Sequence, residues 1–323
     1  MTKKILITGV TGFIGSHLAS ELVKRNHEIY GLIKHVPSRD MRVFKEFLTD
    51  VTLVNGDITS FLSTLNVLKS INPDVIVNLA ALSPVRLSFE RPFEYIQANL
   101  LGTMNIAHSI LELPDFRNRQ LIIASTAEVY GMQNEQPVKE DAILNPSSPY
   151  AVSKAAADMY IRMMVDSYGL NGTVMRATNS YGRKFDNSFM IEYLVTEMIK
   201  GNKIYIGAPD SIRDYMYVDD HVSAYVHAIE NPKSRGDVFN ASTGNGLTNK
   251  EISLKIAEKT GFDQAKIVFG SYPPGYPYRP LISDQPFILL DSTKIKTKLG
   301  WSPKVSLDDG LKKVIDYWSE TLK

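Results

Sequence analysis

At 323 residues the chain can bury a sizeable core, as one large unit or as two closely packed lobes sharing a cleft. Its 36 basic and 35 acidic side chains give no electrostatic reason to expect a nucleic acid or a membrane surface as partner, while a small anionic ligand is compatible with them. The absence of cysteine rules out disulfides and thiolate zinc sites and fits a reducing compartment.

Met1 leads through Lys3 and Lys4 into a strand predicted over residues 4–8, and no apolar run approaches the ~20 residues of a membrane span. A soluble, unprocessed, cytoplasmic chain is expected. Leu18 and Leu22 mark a first helix, followed by strands predicted over 28–33 and 52–55. Leu62, Leu65 and Leu68 mark the next helix, and Asn72-Pro73-Asp74 turns the chain into a strand over 75–80. Residues 92–113 read as one long helix, 120–125 as a strand, 150–168 as a second long helix and 173–176 as a sixth strand. This alternation is the pattern of a parallel sheet with helices on both faces. Beyond Tyr181 it is less regular, and 271–280 is rich in Pro, Gly and Tyr, which predicts a first lobe over 1–180 and a smaller one over 181–323, the chain being free to cross between them. Ser306, with Asp309 three residues on, caps a final helix. The six histidines are scattered; His221 and His227 miss the i, i+4 spacing of paired ligands, so no metal is expected.

The first strand runs into Thr8-Gly9-Val10-Thr11-Gly12-Phe13-Ile14-Gly15, and a helix opens at Ser16. The three glycines permit a tight turn, close approach of backbone to a pyrophosphate, and close helix–strand packing, with the anion at the helix N-terminus. Alone the pattern is a weak signal; with a strand before it and a helix after, it reads as a dinucleotide turn. The expected fold is α/β, a doubly wound Rossmann sheet with a smaller C-terminal α/β lobe. Gly56-Asp57-Ile58 and Asn78-Leu79-Ala80-Ala81 each follow a strand end, where open α/β sheets bind ligands. The second strand ends Leu32-Ile33-Lys34-His35, with no acid for a ribose 2′-hydroxyl, whereas Lys34 and Arg39 suit a 2′-phosphate; NADP is expected over NAD.

The fifth strand delivers Ser125-Thr126-Ala127-Glu128, and Tyr150 and Lys154 stand one turn apart at the start of a helix. An ammonium beside a phenol stabilises the phenolate, bringing a group of ordinary pKa about 10 toward working pH as a general base needs. Such a pair is common on helices; after a dinucleotide turn and a strand ending in Ser-Thr it reads as catalytic.

These motifs, with Arg176-Ala177-Thr178-Asn179-Ser180-Tyr181-Gly182, the segment from Arg213-Asp214-Tyr215 to Asp219-Asp220, and Leu299-Gly300-Trp301, resemble the extended short-chain dehydrogenase/reductases, the nucleotide-sugar epimerases and dehydratases, nearly end to end. The resemblance implies that Gly9, Gly12, Phe13, Ile14, Gly15, Asp57, Ile58, Leu79, Ala80, Ala81, Asn99 and Ser125, with Tyr150 and Lys154, meet the cofactor. It implies that Thr126 hydrogen-bonds the sugar 4-oxygen, that Tyr150 takes the 4-hydroxyl proton as hydride leaves C4, and that Ser83, Asn179, Arg213 and Arg279 contact a nucleotide-diphospho-sugar. It also implies a homodimer, or a dimer of dimers, in which 92–113 and 150–168 pair as a four-helix bundle.

By the same resemblance Glu128 separates the subclasses. The 4-epimerases usually carry an uncharged residue there, because C4 oxidation, rotation of the ketose and return of hydride suffice. A 4,6-dehydratase must also remove the C5 proton, and a carboxylate supplies the base. Thr126, Glu128, Tyr150 and Lys154 look most like the GDP-mannose 4,6-dehydratases, although Ala127 stands where the glucose 4,6-dehydratases have an Asp. A 4-epimerase or 4-keto-sugar reductase is the alternative, and a non-catalytic NADP-binding regulator a third, disfavoured by the intact Thr126, Tyr150 and Lys154.

Overall fold

The computed structural model describes residues 2–34, 41–272 and 285–323. Arg39 and Arg279 therefore lie outside the described residues. Strands β1 (Lys4–Thr8), β2 (Glu28–Ile33), β3 (Thr52–Asn55), β4 (Val75–Asn78), β5 (Gln120–Thr126) and β6 (Asn171–Ala177) come in succession. After them β7 (Asn179–Tyr181), β8 (Ile204–Ile206) and β9 (Ile212–Tyr217) enter a second lobe, and β10 (Val238–Ala241) returns. The main sheet has the order β10-β6-β5-β4-β1-β2-β3, and every neighbouring pair is parallel. Strands β4 and β6 are buried throughout and need cover on both faces; β4 carries the apolar run Val75-Ile76-Val77, whereas β6 also buries Thr173 and Arg176.

Alternate residues of β1 serve opposite faces. Ile5 and Ile7 join Leu18 and Leu22 of α1 (Phe13–Lys24) in one core. Leu6 joins a second core, which takes Val67 and Leu68 from α3 (Phe61–Ile71), the helix after the short α2 (Met41–Phe47). Of the three leucines read as marking α3, Leu62 is exposed: the buried stripe is Thr64, Val67, Leu68 and Ile71, an i, i+3, i+4, i+7 set that turns position 62 outward. The long helix expected over 92–113 is interrupted. After α4 (Val85–Glu90) and α5 (Pro92–Tyr95) the chain takes a wider π turn at Ile96–Leu101 before α6 (Gly102–Leu111). The other long helix, α7 (Pro149–Tyr168), is continuous and capped by Ser148, whose side chain accepts from Ala151 N.

In the second lobe α8 (Met190–Ile199) lies against β8, and β9 is flanked by β7, β11 (Gly246–Thr248) and β13 (Phe287–Ile288), while β8 pairs with β12 (Ile267–Phe269). Its core includes Leu194, Ile252 of α10 (Asn249–Thr260) and Trp318 of α12 (Leu307–Thr321), a helix capped at Ser306 by acceptance from Asp309 N. The lobes share chain. Helix α9 (Val218–Glu230) buries Val222 and Tyr225 in the first lobe's core, as α11 (Thr293–Leu299) does with Ile295 and Leu299, and β10 covers the edge of β6 that would otherwise be left unpaired.

Candidate active site

The order of the main sheet reverses between β1 and β4, so the connections leaving their C-terminal ends diverge and open a groove of about 530 Å³. Gly9 and Gly12 line it at the end of β1, Lys34, Asp57 and Ile58 beyond β2 and β3, and Leu79, Ala80 and Ala81 beyond β4. Gly9 has φ +67°, and a Cβ there would lie 2.7 Å from Ala80 N; a Cβ on Gly15 would lie 2.2 Å from Gly9 O. The turn is thus as close to β4 and to α1 as backbone allows. Helix α1 has no side-chain cap at Gly12 and no acid in its first turn, among the described residues, so its first N–H groups and its dipole face the groove's end without an anion from the chain. A dinucleotide pyrophosphate fits that place, with the residues after Gly12 donating from backbone, since Gly12 N itself donates to Gly9 O at 2.9 Å.

Beyond β2 and β3 Lys34 Nζ lies 2.9 Å from Asp57 Oδ2. Burial pushes the Asp57 carboxyl up, but hydrogen bonds from Lys34 and Thr59 outweigh it and hold the group below its usual range. The wall between groove and α7 is a chain of satisfied polar groups. Ala80 N donates to Thr8 Oγ1 (3.1 Å), Thr8 to Asn78 Oδ1 (2.6 Å), Asn78 Nδ2 to Thr103 Oγ1 (2.9 Å) and Thr103 to Asn99 O (2.7 Å). Asn99, inside the π turn, accepts from Leu82 N and donates to Leu82 O and to Ser153 Oγ.

At the far end Thr126, Glu128 and Tyr150 converge. The Thr126 hydroxyl hydrogen-bonds the Tyr150 phenol and accepts from Glu128 N at 3.3 Å, while Tyr95 stands edge-on to the Tyr150 ring with centroids 6.3 Å apart. Lys154 Nζ donates to Ala124 O at 2.9 Å. In the chain alone the shifts of the pair run against those a phenolate base needs. Burial pushes the phenol of Tyr150 above its ordinary value and the nearby charge of Glu128 pushes it further, while burial lowers Lys154 to about 8. The bond to Ala124 O uses one of the three N–H groups of Lys154.

A sequence model described as GDP-mannose 4,6 dehydratase matches residues 6–314. The chain belongs to this family of nucleotide-sugar dehydratases and epimerases. A UDP-glucose 4-epimerase of Mycolicibacterium smegmatis is 29% identical, the alignment covering 98% of each chain. Among solved structures, a UDP-glucose 4-epimerase of Thermotoga maritima with UDP-glucose superposes with TM-score 0.88 at 30% identity over 99% of both chains. A dTDP-glucose 4,6-dehydratase of Streptomyces venezuelae with NAD bound superposes with TM-score 0.87 at 26% identity, covering 98% of this chain and 97% of that one. The fold is the NAD(P)-binding one expected, and the chain is an enzyme of the extended short-chain dehydrogenase/reductase group.

In this family member several residues read as site residues stand elsewhere than a ligand contact would suggest. The hydroxyl of Ser125 donates to buried Asp158 at 2.9 Å, facing α7, and the amide of Asn99 bonds to Leu82 of the loop after β4 and to Ser153 of α7. Phe13 carries the guanidinium of Arg183 over its ring at 4.3 Å, and Ile14 packs against the core beside buried Gly15. Ser83 and Asn179 are exposed, and Arg213 Nη1 donates to Ile212 O and Gln285 O. Thr8, Tyr95 and Thr103 were not read as site residues. Only Thr8 carries a local signal, as the last strand residue before the first glycine.

Replacing Gly9 with Ala, which drives a methyl into Ala80 at a positive φ, is expected to abolish dinucleotide binding, whereas Gly201→Ala, at φ +75° with open space around it, should cost roughly 1 kcal/mol of stability and leave binding intact. Calorimetric titration of both variants with dinucleotide checks this; equal affinities would place the cofactor elsewhere.

Proposed function

We propose that the protein is a nucleotide-sugar 4,6-dehydratase of the GDP-mannose type using NADP. The observation that carries this reading is the charge of the Glu128 carboxylate acting on the Tyr150 phenol, on a residue whose backbone N donates to Thr126 Oγ1, a second proton-handling group where C4 chemistry alone needs one. Hydride transfer, from C4 and later to C6, is the chemistry the dinucleotide supplies when bound. Thr126 orients the 4-oxygen and Tyr150 exchanges its proton. Glu128 removes the C5 proton, made acidic by the 4-ketone, as the C6 hydroxyl departs as water. Ala127 is buried and offers no acid, so Glu128, protonated by that step, supplies the proton to the leaving group. A 4-epimerase is the second reading, favoured by the similarity to two UDP-glucose 4-epimerases.

Glu128→Gln keeps the shape and removes the base. Overall turnover should fall about 10²- to 10⁴-fold, while parent enzyme working in deuterated water should place deuterium at C5 of its product. A product without deuterium at C5, or a Glu128→Gln enzyme as fast as its parent, moves the protein to the epimerase reading.

NADP preference is supported by β2 ending at Ile33 without an acid and by Lys34 at the groove's rim, although Lys34 must then share its charge between Asp57 and a 2′-phosphate. Lys34→Ala is expected to weaken NADP roughly tenfold and NAD much less; tighter binding of NAD by the parent would overturn the preference.

No helix among the described residues is long and apolar enough to cross a membrane. A cytoplasmic homodimer is proposed, built on the face where Val152, Met159 and Met163 of α7 form an exposed stripe at i, i+7 and i+11 beside exposed Leu101. Light scattering should give twice the chain mass for the parent and a smaller species for Met159→Glu; a monomeric parent at micromolar concentration rejects the dimer.

A further inference from the structure

Behind the site lies a buried ion pair that none of the proposed chemistry uses. Asp158 and Arg176 are both fully buried, and the guanidinium meets the carboxylate through two bonds, Nε to Oδ2 at 2.8 Å and Nη2 to Oδ1 at 2.9 Å. Ser125 Oγ donates to the same Oδ2 at 2.9 Å, and Ser125 is the register partner of Arg176 across β5 and β6. The remaining nitrogen, Nη1, donates to the Tyr130 hydroxyl at 2.7 Å and to Glu140 O at 2.9 Å; Tyr130 in turn donates to Asn240 Oδ1 of β10 at 2.7 Å. One planar fork therefore ties together α7, the end of β5, the turn Ala127–Tyr130 that carries Glu128, and, through Tyr130, β10.

We propose that Asp158 and Arg176 form a positioning brace that holds Tyr150 and Lys154 in register with Thr126 and Glu128, an inference that rests on reading those four residues as the reacting centre. Tyr150, Lys154 and Asp158 stand at i, i+4 and i+8 on one stripe of α7, about 12 Å from end to end, so fixing Asp158 fixes the azimuth and axial height of the helix that presents the phenol. The brace's other arms end one residue before Thr126 and two residues after Glu128. Stability does not account for such a pair, because apolar residues of similar volume in place of a buried ion pair are often neutral or stabilising. What apolar replacements lack is direction: a bidentate pair with every arm satisfied admits one arrangement, whereas packed methyl groups slide. A misplacement of about 1 Å at a reacting centre costs on the order of a hundredfold in rate.

The test is the double variant Asp158→Leu/Arg176→Met, assayed beside the parent and Tyr150→Phe with a panel of nucleotide sugars. The expected result is a melting temperature at or above the parent's, dinucleotide affinity and sugar-nucleotide KM within about threefold, and kcat lower by roughly tenfold to a hundredfold. A folded double variant with the parent's kcat overturns the brace. If the double variant does not fold, Ser125→Ala and Tyr130→Phe, which each delete one arm, decide the matter: kcat lowered severalfold at unchanged melting temperature and KM supports the brace, and unchanged kcat overturns it. A parent that turns over no nucleotide sugar, or a Tyr150→Phe enzyme as active as the parent, fails the functional reading itself, a result distinct from any given by the brace variants alone.

Discussion

Seven parallel strands put all of their C-terminal ends on one edge of the main sheet, and the reversal of strand order between β1 and β4 leaves that edge open where its connections part. The glycine turn, the groove beyond β2 and β3, the loop after β4 and the Thr126–Glu128 corner after β5 share one surface for that reason. The constraint is tight at its centre, where the backbone of Gly9 passes so close to Ala80 that a single Cβ has no room. A sheet of mixed direction would scatter the same residues over two edges.

Burial sets the electrostatic character of this surface. Tyr150 and Lys154 stand on one helix face, yet the low-dielectric surroundings and Glu128 raise the phenol while the ammonium is pulled down to about 8. The chain alone favours a neutral phenol beside one carboxylate. Behind that pair the polar chain from Thr8 to Ser153 and the Asp158–Arg176 fork are satisfied arm by arm, as buried polar groups must be if they are not to cost more than they hold.

A UDP-glucose 4-epimerase and a dTDP-glucose 4,6-dehydratase superpose on this chain about equally well, so the fold by itself does not choose between the two activities. On the function proposed above, Glu128 is the side chain on which the division between them rests. The second lobe, whose β9 carries Arg213 at the joint, is where recognition of the base and sugar is to be sought.

Local sequence carried the strands most directly. Those at 4–8, 28–33 and 52–55 have the bounds read for them, because short β-rich runs ending in Gly, Asn or a charged residue leave little freedom. The glycine turn and the Tyr150/Lys154 spacing were equally legible, since each is set by contacts within a few residues. Long-range contacts decided the rest. The π turn within 92–113 contains Asn99, whose bonds go to Leu82 and Ser153, far away in sequence, and neither composition nor periodicity marks it. The return of β10 to the edge of β6 answers an unpaired strand that sequence does not display. The direction of the Tyr150 shift depends on burial and on Glu128, twenty-two residues earlier, and Asp158 with Arg176 reads as an ordinary charged pair until folding removes water from around it. Hydrogen bonding and desolvation act between elements, so their consequences appear only when the elements are packed.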